Sequence, residues 1–359
     1  SARGAVVADD LQAEKIISVW AELPNLRSVV VIDAHDHENE IEKEILSFDS
    51  LLARGHERLI SGDGLGRVYK ECAMGITSDT LATIIYTSGT TGEPKGVMLS
   101  HGNVMSNIND VDAVVKLDSE DEALSFLPLS HAFERTAVML FLYKGLTVTF
   151  AESLETIARD LQRVKPTVMT GVPRVFEKLH AKIYATVAES PLLREKLFHW
   201  AIGVGQAVAQ AQLAGRSVSW STRVHEPLAD RLVLSKVRGR LGGRIRFLVS
   251  GSAPLSVEVA EFLFAIGIPV LEGYGLTETA PVLTVNPEGK QKLGTVGVAV
   301  PQVTLRIADD GEILARGPNI MTGYYRKQSE TDAAIQDGWF HTGDIGRLDD
   351  EGYLTITCL

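Results

Sequence analysis

Cysteine is almost missing from this chain, with only Cys72 and Cys358 among 359 residues. Two cysteines cannot build a disulfide framework, and a reducing, cytoplasmic setting follows as the expectation. Long apolar runs are missing as well. The longest, residues 136–150, is broken by Lys144 and falls short of the ~20 residues a membrane-spanning helix needs. No transmembrane segment is therefore expected, and peripheral contact with a membrane surface stays open. The first residues, Ser1 to Ala5, lack a secretory leader pattern and read straight into an acidic helical stretch. Positive charge is in deficit, with 35 basic residues against 46 acidic ones and a formal charge of −11. That balance argues against nucleic acid as a partner, because its phosphates attract basic surfaces.

What remains is the composition of an ordinary globular protein, 45% hydrophobic and 23% charged, with length for about two domains at ~150 residues each. Short apolar runs rich in branched residues lie at 28–32, 81–85, 167–170, 246–250 and 268–271. Such near-continuous runs read as buried parallel strands. Helical patterns fall between them. Ile157, Leu161 and Val164 share one face of 153–164, which Pro166 ends. Val175, Leu179 and Ile183 form a stripe in 173–187, and a long helical region covers about 191–240. This alternation predicts an α/β fold with helices packed on mostly parallel sheets. After Gly294 the texture changes to hairpins: 303–307 with 312–315 around Asp309-Asp-Gly311, and 345–348 with 353–357 around Asp349-Asp-Glu-Gly352. We expect a body at 1–293 and a smaller β-rich subdomain at 294–359.

One segment carries specific chemistry. Tyr86-Thr-Ser-Gly-Thr-Thr-Gly-Glu-Pro-Lys-Gly96 follows an apolar strand and precedes Val97-Met-Leu99. Its glycines let backbone N–H groups turn toward an anion. Thr87, Ser88, Thr90 and Thr91 add hydroxyl donors, and Lys95 adds a cation. These are the groups a polyphosphate requires. The loop is not a Walker motif, because Lys95 precedes the last glycine. Gly62–Gly66 reads as a turn without a helix after it, and Gly203-Val-Gly205 as a packing site within a helix.

The loop resembles the phosphate loop of the adenylate-forming superfamily, and five further motifs appear in that superfamily's order. They are Leu127–Arg135, Ser250–Pro254, Glu272–Thr279, Gly311–Gly317 with Met321–Arg326, and Asp337–Asp344. Together they cover nearly all of the chain from Thr80. Pro128–Arg135, Gly171–Lys178 and the long helical insert up to Arg246 are most similar to long-chain fatty acyl-CoA synthetases, which form AMP. No aspartate stands in Ser130–Phe133 to pair with an amino-acid ammonium.

The resemblance implies ATP, Mg²⁺ and coenzyme A as cofactors and co-substrates, and a long-chain fatty acid as substrate. A carboxylate would attack the α-phosphorus of ATP, giving acyl-AMP and pyrophosphate, and thiolysis would follow. It implies that Thr87, Ser88, Gly89, Thr90, Thr91, Gly92 and Lys95 hold the β- and γ-phosphates. Gly251, Ser252, Ala253, Glu272, Gly273, Tyr274 and Gly275 would form the adenine slot. Thr277 would contact the α-phosphate, Glu278 would hold Mg²⁺, and Asp344 would accept the ribose hydroxyls. His131 is either structural or at the acyl entrance, and Phe133 either walls the acyl tunnel or belongs to the core. His341 is expected to be structural.

The chain departs from the family's pattern at Thr355–Leu359, where Cys358 stands in place of a hinge aspartate. A mobile C-terminal domain carrying a further lysine is expected after this point, and strands of the first subdomain before Leu11. The chain by itself is thus expected to bind nucleotide and to adenylate poorly. Two other readings stay open: an acyl-AMP ligase delivering to a carrier protein, and a non-catalytic nucleotide- or acyl-binding derivative.

Overall fold

The computed structural model describes residues 3–34, 44–61, 64–87 and 93–358. Two compact units divide between Ile76 and Thr77.

The first unit holds a parallel three-stranded sheet in the order Gly4–Asp9, Ser28–Asp33, Glu44–Ser47. Gly4–Asp9 is a strand where the opening residues read as helical; the helix begins at Asp10, with Asp9 as its cap. Trp20, Ala13, Leu26, Val29 and Val31 form the core, and the Trp20 indole donates to the Leu26 carbonyl at 3.0 Å. A helix, Leu65–Met74, does follow the glycines at 62–66, starting from Gly64 in the left-handed region. Gly62 and Asp63 themselves lie outside the described residues.

The second unit is organised around a seven-stranded sheet. Its order is Val298–Ala299, Val282–Val285, Val270–Gly275, Phe247–Ser250, Val168–Gly171, Glu122–Ser125, Thr147–Phe150. The last five strands run parallel, and the first two are antiparallel to their neighbours. Both faces are covered, as parallel sheets require. Leu124, Met169, Leu248 and Val270 point into one core, with Phe176, Phe198 and Phe262. Ala123, Val168, Phe247 and Leu271, one residue away on each strand, point into the other.

The helix Pro173–Ala188 follows the expected stripe, and the long helical region is Leu192–Leu213, Trp220–Ala229 and a π-turn leading to Ser235–Arg240. Of the two glycines at 203 and 205, only Gly205 is a packing site. A Cβ there would lie 2.0 Å from the Ala265 oxygen, whereas one at Gly203 meets nothing within 4 Å.

The strand expected at 81–85 differs from the reading. Leu81–Thr87 pairs antiparallel with Lys95–Ser100, and Gly323–Tyr324 adds on the other side. It is the first arm of a ribbon whose tip is the phosphate loop, and its residues are largely exposed or half-buried. The change of texture at 294 lies within the second unit. Beyond it Thr304–Ile307, Glu312–Arg316, Trp339–Leu348 and Leu354–Cys358 build an antiparallel sheet with the two expected hairpins. Gly311 and Gly352 turn them with φ of +90° and +83°.

Candidate active site

The ribbon Leu81–Ser100 sets Lys95 opposite Thr87, and Gly96 opposite Tyr86. A Cβ on Gly96 would sit 3.0–3.2 Å from Ile84 and the Tyr86 ring, so this position accepts little else. Ser88, Gly89, Thr90, Thr91 and Gly92 lie outside the described residues. Both ends of their loop are nevertheless placed, and Lys95 is half-buried at its base. The helix His101–Val114 follows, started by a capping box of Ser100 and Asn103. Asn103 Nδ2 also donates to the carbonyls of Pro318 and Ile320, both at 2.8 Å. These bonds bring the chain before Gly323–Tyr324 alongside the ribbon.

The strand Val270–Gly275 ends in the short turn Thr277–Thr279. Gly275 is required there, because a Cβ would come 1.7 Å from the Pro281 oxygen. The Met321 N–H donates to the Glu278 carbonyl at 2.8 Å, and Tyr325 N–H to the Gly96 carbonyl at 2.7 Å. The Tyr324 hydroxyl donates to Glu278 Oε1 at 2.9 Å, and Lys95 Nζ lies 5.1 Å from the centre of the same ring. Lys95 and Glu278, far apart in sequence, therefore meet across one tyrosine.

A cavity beside this turn is lined by Ser252, Ala253, Glu272, Gly273, Tyr274, Gly275 and Asp344, with Pro254, Leu255 and Gly294–Val296. All but one of the residues expected around the adenosine thus share one space; Gly251 faces the neighbouring one. Tyr274, 8% exposed, donates its hydroxyl to Asp344 Oδ2 at 2.6 Å. Burial pushes the Asp344 carboxyl above its ordinary value; the Tyr274 hydrogen bond opposes this and Glu312 adds to it. Glu312 also fixes the turn before Asp344, accepting from Gly343 N–H at 2.9 Å and pairing with His341 Nδ1 at 2.7 Å. His341 is part of that anchor. Glu272 is 7% exposed, and burial raises its carboxyl to about 7.

The second cavity shares Ser252, Gly273, Tyr274 and Gly275 with the first, and is otherwise almost wholly apolar. Phe133, Val111, Val115, Leu117, Leu140, Phe141 and Phe247 line it. Phe133 packs on Gly251, where an added Cβ would be 3.1 Å from the ring. His131 precedes the helix Ala132–Lys144, is exposed, and does not line this cavity.

Two residues near these cavities carried no assignment from sequence. Glu134, fully buried beside Phe133, accepts from Ser125 Oγ at 2.5 Å and Thr170 Oγ1 at 2.7 Å. Burial raises its carboxyl against those two bonds. A glutamate one residue after Phe133, in a helix that is mostly apolar, was the available signal. Tyr324 lies in the Met321–Arg326 motif, which gave it no role, since an aromatic residue in Gly323-Tyr-Tyr325 is as easily core.

A ribbon whose arms lead into a glycine- and hydroxyl-rich segment, a polar cavity walled by Gly273-Tyr-Gly275 and an apolar cavity beside it make up the candidate site. A family model described as AMP-binding enzyme matches residues 2–325, and the chain belongs to that family. It is 39% identical over 360 residues to long chain acyl-CoA synthetase 6, peroxisomal, of Arabidopsis thaliana, covering 95% of this chain and 48% of that one. It is 40% identical over 279 residues to long-chain-fatty-acid–CoA ligase FadD15 of Mycobacterium tuberculosis, covering 77% and 46%. Among solved structures, ATP-bound MatB from Rhodopseudomonas palustris matches 99% of this chain and 59% of its own, at 26% identity and a TM-score of 0.66. The chain spans about half the length of the curated relatives it matches.

Proposed function

We propose that this chain forms the ATP- and fatty-acid-binding part of a long-chain fatty acid–CoA ligase that forms AMP. The observation carrying this reading is the pair of cavities that share Ser252, Gly273, Tyr274 and Gly275. A polar ligand in one and an acyl chain in the other would meet at those residues. Bringing a carboxylate to the α-phosphorus joins two anions, so alignment and positive charge must come from the protein and its cation. In this reading Thr87 to Gly92 and Lys95 hold the β- and γ-phosphates. Thr277 contacts the α-phosphate, and Asp344 the ribose, with Ala253, Glu272 and Gly251 completing the slot. The carboxylate oxygen bonds to the α-phosphorus as the bond to pyrophosphate breaks. Attack by the coenzyme A thiol then forms the thioester and releases AMP.

No group of three or more His, Cys, Asp or Glu side chains among the described residues is placed to hold a metal ion. Mg²⁺ brought by nucleotide keeps its waters and takes one or two carboxylates plus phosphate oxygens. Glu278 has the fitting chemistry, with Oε1 bonded to Tyr324 and Oε2 in no hydrogen bond or ion pair among the described residues. When bound, the ion would neutralise phosphate charge. Phe133 walls the acyl site in this reading. His131 stays outside the lining, at the mouth of the same helix, and we keep 294 as the start of the β-rich subdomain leading on to the hinge.

We also place the enzyme in the cytoplasm, in contact with a membrane surface. No helix among the described residues is long and apolar enough to cross a bilayer. Trp220, Val224 and Leu228 are 81%, 57% and 51% exposed at a spacing of four, which puts them on one helical face. Exposed Arg223 lies between them and exposed Arg231 follows, and a basic, apolar face of this kind seats on anionic lipid. Co-sedimentation with phosphatidylglycerol vesicles, lost in Trp220→Ser/Val224→Ser, is expected; equal sedimentation of both proteins sinks this part.

The central test is exchange of pyrophosphate into ATP, across fatty acids of increasing length, by the full-length ligase of which this chain forms the nucleotide- and acyl-binding part. Exchange that depends on long-chain acids, followed by thioester formation with coenzyme A, is expected. Exchange driven instead by amino acids, or none with any acid, would overturn the reading.

A further inference from the structure

We propose that Tyr324 is the positioning residue for the Glu278 carboxylate, holding one oxygen so that the other faces the cation that arrives with ATP. The inference rests on Glu278 being the metal-binding carboxylate of the proposed function and goes beyond it. A magnesium site with one protein carboxylate has little else to set its geometry, and a glutamate carries three rotatable bonds. Second-shell hydrogen bonds to a ligating carboxylate supply that orientation.

The structure places Tyr324 well for this. Its hydroxyl donates to Glu278 Oε1 at 2.9 Å, and the residue is 7% exposed. Its backbone is held on both sides. Gly323–Tyr324 pairs with Met98 and Val97 of the ribbon. Tyr324 N–H donates to Thr331 Oγ1 at 2.9 Å, and Lys327 N–H donates to its carbonyl at 3.2 Å. These contacts fix the backbone from which the ring extends, and the ring's hydroxyl holds the carboxylate oxygen. The same ring has Lys95 Nζ 5.1 Å from its centre, so the loop lysine and the acidic residue take their positions from one side chain.

Tyr324→Phe separates the two contacts, because it keeps the ring under Lys95 and removes only the donor to Glu278. The experiment is calorimetric titration of the full chain with ATP, once with MgCl₂ and once with EDTA, for the parent, Tyr324→Phe, Glu278→Gln and the double variant. The expected result is about a tenfold loss of affinity for magnesium–ATP in Tyr324→Phe, with metal-free ATP bound as by the parent. That metal-free binding also reports that the variant is folded. In the Glu278→Gln background the tyrosine change is expected to have no further effect. If Glu278→Gln lowers magnesium–ATP affinity and Tyr324→Phe does not, the positioning role alone is wrong. An equal loss in both buffers would make Tyr324 merely structural and would likewise overturn it. If Glu278→Gln leaves the magnesium effect intact, the metal role of Glu278 and this inference fall together.

Discussion

The Tyr274 hydroxyl donates to Asp344 Oδ2 at 2.6 Å, tying the end of the central strand Val270–Gly275 to the long strand Trp339–Leu348. Both residues line the polar cavity. It leaves the carboxylate with acceptor capacity for a ligand, since each oxygen offers more than one lone-pair site. It also opposes the burial that pushes the Asp344 carboxyl up.

Tyr274→Phe should therefore act on Asp344 in a definite direction. Without the hydroxyl the carboxyl titrates at higher pH, so the loss of AMP affinity on acidification should begin at higher pH than in the parent. Near neutral pH the affinity should fall by about ten- to a hundredfold, from the ~1.5–3 kcal/mol of a hydrogen bond to a charged group. Calorimetric Kd values over a pH series check both. An unmoved acid limb would mean that Tyr274 does not work through Asp344.

Much of this site was legible in the sequence because it is written in short local patterns. Glycines where a Cβ would strike backbone, as at Gly275 against Pro281, cannot be replaced cheaply, and they flank the residues that matter. The α/β alternation was legible for the same reason, since buried strands such as Val168–Gly171 are continuous apolar runs. Contacts made only by the fold were not. Tyr324 meets Glu278 from 46 positions away, and nothing near either residue announces the partner. The strand Leu81–Thr87 was misplaced because an apolar run does not say whether its neighbour is parallel. The short strands Glu122–Ser125 and Thr147–Phe150 passed unread, with too few residues to show a period.

Glu272 predicts a pH-dependent stability. Its carboxyl rises from 4.5 to about 7 on folding, through burial. The folded state thus binds the proton more tightly, and stability falls as pH rises between those two values. Above the upper one the charged, buried group costs up to about 3 kcal/mol. Glu272→Gln should match the parent near pH ~4.5 and exceed it by about 1–3 kcal/mol near pH ~8. Urea unfolding at both pH values measures the difference. Parallel pH curves for the two proteins would contradict it.

Glu134 predicts a graded series. It satisfies the hydroxyls of Ser125 and Thr170 in a fully buried place. Glu134→Gln keeps an acceptor for one hydroxyl and can donate its amide N–H to the oxygen of the other, so a loss of about 1 kcal/mol is expected. Glu134→Leu strands both hydroxyls and should cost about 2–4 kcal/mol by chemical denaturation. Equal costs for the two variants would show that shape, not hydrogen bonding, is what the site requires.

The apolar cavity predicts which residues set acyl length. Tyr274 and the glycines beside it border both cavities, so under the proposed function the reacting carboxyl would lie there. Val115, Leu117 and Phe247 are among the residues that line only the apolar one, where the proposed acyl chain would lie. Val115→Phe fills part of that space. Each methylene then excluded should lower kcat/KM about fourfold, from ~0.8 kcal/mol per buried CH₂, while KM for ATP stays unchanged. Overpacking itself costs about 1–3 kcal/mol of stability, so a Tm measured alongside separates a tighter pocket from a damaged fold. The diagnostic outcome is a shift of the preferred acid toward shorter chains. A uniform loss over all lengths would remove Val115 from the acyl end and move the search to the Phe133 side of the cavity.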